Sequence, residues 1–249
     1  MTKKNKTTIL GVPVDTYTRE EAFGICKEFI QGEKGYNMVI TPNPEVIIKA
    51  TKDAELMEIM KNAELVVPDG IGVVIASKFN KVKISERVAG CDLVESLLNF
   101  IKNTEYTAYF LGAGKGIAEE AKRKCEKKYQ NIKIVGTHDG YFDQAEELKI
   151  IEELKQKKPD ILLVGLGVPR QEKWIYKHKG ELPVKLLIGC GGTIDVLAGA
   201  VKRAPKIFQK LGLEWFYRLL KQPSRFFRML NLPKFVVLVL INKIRGGKK

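Results

Sequence analysis

Apolar positions along this chain follow two periods that alternate. Short runs of consecutive apolar and β-branched residues occupy Thr8–Val12, Tyr36–Thr41, Leu65–Val67, Thr107–Leu111, Ile132–Val135, Ile161–Gly165 and Lys185–Ile188, and read as strands. Between them lie stretches with helical spacing. Thr18–Gln31 opens with the capping box Thr18-x-x-Glu21, and Ala118–Tyr129 and Ala145–Lys157 carry amphipathic patterns. A strand–helix–strand rhythm of this kind predicts an α/β fold, a mainly parallel sheet with helices on both faces. No internal repeat or low-complexity segment interrupts it.

The rhythm stops near Ala200, and the charge changes there too. Residues 202–249 carry 13 Lys/Arg against one acid, Glu214, so 12 of the chain's 14 excess positive charges lie in its final fifth. Phe208, Trp215, Phe216, Tyr217, Phe226, Phe227 and Phe235 are interleaved with those bases. A nearly neutral body (residues 1–200) with a basic, aromatic-rich helical appendage (residues 201–249) is expected. Such a segment suits an anionic, partly apolar membrane surface. Arg218, Lys221, Arg225 and Arg228 would form one helical stripe if Pro223 starts or kinks a helix instead of ending order. The rival partner for such charge is nucleic acid, but no nucleic-acid module is recognisable and the body is not basic, so no nucleic acid is expected. The longest purely apolar run, Phe235–Ile241, has seven residues. A spanning helix needs about 20, so this segment is expected to lie on a bilayer without crossing it. The N-terminal apolar stretch is broken by Gly11 and Pro13 and is too short for a secretory signal, which points to the cytoplasm. Four widely spaced cysteines and two histidines encode neither a disulfide framework nor a metal site, and neither metal nor cofactor is expected.

In parallel α/β sheets ligands bind beyond the carboxyl ends of the strands, so the loops there carry the chemistry. Thr41-Pro42-Asn43-Pro44-Glu45 follows the second run, Pro68-Asp69-Gly70-Ile71-Gly72 the third and Gly112-Ala113-Gly114-Lys115-Gly116 the fourth. Asp69 has two readings: a helix N-cap, or a base that takes a proton from a sugar hydroxyl as its oxygen attacks, with Thr41 and Asn43 beside it. Gly112 and Gly114 mark either a tight strand-to-helix turn or a backbone nest for a phosphate, without the spacing of a dinucleotide fingerprint. Asp139 follows the fifth run and could meet a ribose, which keeps an NAD-dependent oxidoreductase open as a minority reading. Arg87, Arg170 and Gln171 are candidate diphosphate ligands, although a lone Arg is more often a solvated one. The chain has no D-x-D. A nucleotide-sugar enzyme built this way would stabilise its leaving group with Arg side chains and helix N-termini.

Taken in order, Thr41-Pro42-Asn43-Pro44-Glu45, Pro68-Asp69-Gly70-Ile71-Gly72, Arg87-Val88-Ala89-Gly90-Cys91-Asp92, His138-Asp139-Gly140-Tyr141-Phe142, Gly165-Leu166-Gly167-Val168-Pro169-Arg170-Gln171-Glu172, Arg203-Ala204-Pro205 and Gly212-Leu213-Glu214-Trp215 resemble the WecG/TagA/CpsF glycosyltransferases. The likeness runs from about Ile9 to Arg228. It implies a Rossmann-like fold and an inverting enzyme that extends lipid-linked saccharides at the cytoplasmic membrane face. The TagA branch implies a UDP-sugar donor of N-acetylmannosamine and, as acceptor, the 4-hydroxyl of undecaprenyl-diphospho-N-acetylglucosamine, in wall teichoic acid synthesis. By position, Asp69 becomes the general base with Thr41 beside it. Arg87 and Gln171 fall near the substrate phosphates, and Arg218, Arg225 and Arg228 become ligands of the lipid diphosphate. The appendage would bring the enzyme to the bilayer and close over the site. Arg170 stands where many relatives have Lys, a change that keeps the charge. Open alternatives are a sister donor carrying N-acetylmannosaminuronic acid or a hexose, and a non-catalytic protein that binds a membrane surface, a nucleotide or nucleic acid; a homo-oligomer is left open.

Overall fold

Strands apolar at every position need cover on both faces, and this chain supplies it from helices on either side of one parallel sheet. The computed structural model describes residues 6–33, 35–221, 223 and 226–246. The chain begins β1 (Lys6–Ile9), β2 (Val12–Asp15), α1 (Arg19–Gln31), β3 (Asn37–Ile40), α2 (Pro44–Ala50), α3 (Ala54–Asn62) and β4 (Leu65–Val66). It continues α4 (Ile71–Ser77), α5 (Gly90–Ile101), β5 (Thr107–Gly112), α6 (Ile117–Lys128), β6 (Lys133–His138) and α7 (Gln144–Lys157). The rest is β7 (Ile161–Gly165), α8 (Arg170–His178), β8 (Leu186–Gly189), α9 (Thr193–Leu197), α10 (Lys206–Lys210), α11 (Glu214–Lys221), α12 (Phe226–Met229) and α13 (Asn231–Gly246).

Six strands pair in the order β4-β3-β8-β7-β5-β6, every pair parallel. Successive residues alternate between two cores, as the two-residue period of a strand demands. In β7, Leu162 and Val164 point to one core while Ile161 and Leu163 point to the other. Helices α2, α3, α4, α7 and α8 cover the first face, and α1, α5, α6 and α9 cover the second. The α/β reading of the sequence is therefore correct.

One strand differs from expectation. The run Thr8–Val12 is not a strand of the sheet: it straddles the turn of an antiparallel hairpin in which Ile9 pairs with Val12. Leu10 and Gly11 form that turn with φ of 51° and 87°, the left-handed pair that suits a two-residue hairpin. The apolar Leu10 hides the turn from a hydrophobicity pattern. The hairpin serves the short edge strand β4, because Asp15, 1% exposed, accepts a hydrogen bond from Val66 N–H at 2.8 Å. That contact satisfies a backbone donor which an uncovered edge would leave open.

The C-terminal helices divide in two. In α13, Phe235 and Val239 lie one turn apart and are buried in the first core, where the helix packs on α2 and α4. In α10 to α12 the side chains of Ile207, Leu211, Leu220, Phe226 and Phe227 are exposed. Lys221 ends α11 and Phe226 starts α12, so the basic stripe is split between two helices. Arg225 falls outside the described residues, as do the side chains of Arg218 and Arg228.

Candidate active site

Because the sheet is parallel, all six carboxyl ends lie at one edge. The chain leaves β3 and β7 for the first face and leaves β8, between them, for the second, which opens a crevice at the strand ends. Hydrogen bonds stitch the loops around that crevice. Asp69 N–H donates to the Pro42 carbonyl at 3.1 Å, and Val88 N–H donates to the Pro68 carbonyl at 2.9 Å. Gly90, the first residue of α5, has no room for a side chain: a Cβ there would lie 2.9 Å from Thr41 Oγ1. Backbone hydrogen bonds between the loops and the Thr41 side chain against Gly90 thus hold Thr41, Asp69 and the start of α5 in one place.

The local sequence explains the position of Asp69. Gly70 takes the N-cap position of α4 at φ 101°, with no side-chain capping bond. Only glycine enters that conformation cheaply, so the chain turns sharply after Asp69, and Gly70 rather than Asp69 holds the N-cap position. Asn43 does cap: its Oδ1 accepts from Val46 N–H at 3.1 Å at the start of α2, where Pro44 fits the first turn.

Opposite these loops stands a buried polar relay. Gln171 is 3% exposed; its Oε1 accepts from Gly191 N–H at 3.1 Å, and its Nε2 donates to Glu172 Oε1 at 2.8 Å. The amide that the sequence offered as a phosphate ligand therefore shapes the glycine turn after β8. Burial pushes the Glu172 carboxyl up to about 7, against the pull of Gln171 and of Lys49. Lys49 Nζ pairs with Glu45 at 3.1 Å and donates to the Val168 carbonyl at 3.2 Å, tying the β3 loop to the β7 loop.

Farther along the edge, Gly112 has φ 136°, and a Cβ on it would sit 2.5 Å from the Gly165 backbone. Close approach of β5 and β7 explains that glycine. The α6 N-terminus beyond Gly114 and Gly116 has no side-chain cap. Asp139 Oδ1 accepts from Tyr141 N–H at 2.8 Å, and Arg170 donates to the Gly140 carbonyl at 2.7 Å while lying over the Phe142 ring. Arg87 donates to Glu214 Oε1 at 2.9 Å, both side chains largely buried. Arg203 joins the same cluster, 2.5 Å from Asp92 and 3.8 Å from Glu214. Sequence reasoning did not assign roles to Arg203, Glu214, Lys49 or Glu172. A signal existed for Glu214, the lone carboxylate among the bases of its segment.

The chain matches the profile of the glycosyl transferase WecG/TagA/CpsF family over residues 7–249. It belongs to that family. Among its relatives, N-acetylglucosaminyldiphosphoundecaprenol N-acetyl-beta-D-mannosaminyltransferase of Bacillus subtilis is 36% identical over 203 residues, 82% of this chain and 78% of the relative. The protein of that name from Bacillus spizizenii is 37% identical over 210 residues, 84% and 81%. The one from Staphylococcus aureus is 35% identical over 232 residues, 93% and 91%. The resemblance read from the ordered motifs is thereby confirmed, and the protein is a glycosyltransferase of this family.

Proposed function

We propose that this glycosyltransferase transfers N-acetylmannosamine from its UDP donor to the 4-hydroxyl of undecaprenyl-diphospho-N-acetylglucosamine, with inversion. The observation that carries the reading is the named activity of relatives aligned along most of the chain, joined to the convergence of the Thr41 and Asp69 loops at the crevice. Asp69 takes the proton of the acceptor hydroxyl. The freed oxygen attacks the anomeric carbon from the side opposite UDP, and the bond to the β-phosphate oxygen breaks with its electron pair leaving on UDP. Thr41 orients the acceptor beside Asp69, and Asn43 keeps the loop in register by capping α2.

Arg87 already faces an anion, Glu214, and exchanges it for substrate diphosphate, with Arg218, Arg225 and Arg228 of the C-terminal segment as further ligands. Gln171 acts at one remove, through the Gly191 turn. Gly112 and Gly114 place the α6 N-terminus, and Asp139 holds its loop, at the donor end of the crevice. The reaction needs no metal, because guanidinium groups and helix N-termini take the leaving charge.

Residues 1–200 carry the base and the donor end of this chemistry; residues 201–249 add the arginines named above and carry the address, a peripheral one on the cytoplasmic membrane face. Exposed Ile207, Leu211, Phe226 and Phe227 among many bases support the address. No helix among the described residues is long and apolar enough to cross a membrane.

The test is UDP release from UDP-N-acetylmannosamine in EDTA, with and without a lipid-diphospho-N-acetylglucosamine acceptor. Acceptor-dependent release is expected. Release only from the uronic acid donor, or only after metal is restored, replaces the corresponding part of the proposal.

A further inference from the structure

At the far end of α4 from Asp69 lies an open cavity of about 510 Å³, bordered by the hairpin, the segment after α4 and the last turns of α13. Its walls carry Lys81 and Lys243, together with Lys6, whose Nζ is paired at 3.6 Å with the buried Asp15, over an apolar lining that includes Phe79, Val82 and Val239. Lys243 Nζ sits 4.8 Å above the Phe79 ring. The walls are fixed: Asn80 Nδ2 donates to Thr7 Oγ1 and to the Thr8 carbonyl, both at 2.8 Å, clasping the segment after α4 to β1. Val239 on the floor of this cavity belongs to the core.

The neighbouring face of α13 is the second observation. Val236, Leu240 and Ile244 follow one another at i, i+4 and i+8, and all are exposed, as are Val237 and Ile241 beside them. By helical spacing Lys243 stands between the cavity floor at Val239 and this stripe at Leu240. An anion in the cavity therefore has an apolar path leading out of it along the helix. A free phosphate would use the lysines but not the apolar walls, and a nucleic acid backbone would leave the stripe bare.

We infer that this cavity is a binding site for the headgroup phosphate of an anionic phospholipid, with an acyl chain lying along the exposed stripe of α13. The inference rests on the membrane placement proposed above and adds a discrete site to it. Bound there, one lipid would fix the angle at which the enzyme meets the bilayer, about 10 Å along α4 from the Asp69 loop.

The test uses the full chain. Wild-type protein, the double variant Lys81→Gln/Lys243→Gln and a control Lys127→Gln/Lys128→Gln on α6 are compared for sedimentation with phosphatidylglycerol vesicles and with phosphatidylcholine vesicles. Calorimetry with dihexanoyl-phosphatidylglycerol below its micelle concentration, and with inorganic phosphate, supplies the second readout. Wild type should bind phosphatidylglycerol in both forms, and the cavity variant should bind about 25-fold more weakly, the loss expected for two bases at an anionic surface. The control should lose far less, and turnover of all three on a short-chain acceptor without vesicles should be equal. Wild type that ignores anionic vesicles overturns the membrane placement and the site together. A cavity variant that matches wild type, or loses no more than the control, overturns the site alone, as does phosphate binding as tightly as the short-chain lipid.

Discussion

The sheet and the C-terminal helices treat apolar side chains in opposite ways. Every apolar residue from Met38 to Ile40, from Ala108 to Leu111 and from Ile161 to Val164 is buried. Among the described residues, 13 of the 20 exposed large apolar side chains lie after residue 206. A parallel sheet has helices on both faces, so its strands can be apolar throughout. Helices α10 to α12 and the outer stripe of α13 leave large apolar side chains exposed among the described residues, and apolar surface of that extent is what a contact site offers. One region holds the loops of the crevice, and the other carries the surface proposed to meet the membrane.

The sharpest break of this contrast comes from Asp69. Asp69→Asn should lower kcat by roughly 10²–10⁴-fold, the usual worth of a positioned base, with vesicle binding and thermal stability unchanged. Turnover near wild type would remove Asp69 from the mechanism. Next comes Phe235, the buried foot of the exposed segment. Phe235→Ala should cost about 3–5 kcal/mol in urea unfolding, because α13 belongs to the core although its outer face does not. A loss under about 1 kcal/mol would mean that α13 is not fastened to the body.

Glu172 tests the rigid side through pH. Burial raises its folded pKa to about 7 from the ordinary carboxyl value of 4.5, so between those values the folded protein keeps a proton that the unfolded chain has released. Stability then falls as pH rises through that window and stays lower above it. Glu172→Gln removes the slope: the variant should gain about 3 kcal/mol on wild type between pH 4 and pH 8. Parallel pH profiles would show that Glu172 does not titrate in this range. The smallest effect belongs to Phe227, 79% exposed. Phe227→Ser should change stability by under about 0.5 kcal/mol yet weaken binding to phosphatidylglycerol vesicles, and unchanged binding would take that side chain out of the contact surface.

Much of this molecule was legible because the information is local. Apolar runs separated by amphipathic stretches specify strands and helices whatever their neighbours, and the charge of residues 202–249 needs no structure to be counted. The motif loops were found at the right edge because parallel topology puts every strand's carboxyl end there. The hairpin escaped, since Leu10 is apolar and its left-handed backbone is invisible in a hydrophobicity pattern.

Sequence alone determined the α/β class, the loops that border the crevice and the family. Tertiary structure decided what each polar group does. Gly70, not Asp69, takes the cap position of α4; Gln171 spends its amide on Gly191 and Glu172; and Arg87 meets a carboxylate 127 positions away, in Glu214. A hydrogen bond or ion pair forms between groups that folding brings within about 3 Å, and separation along the chain carries no record of that distance.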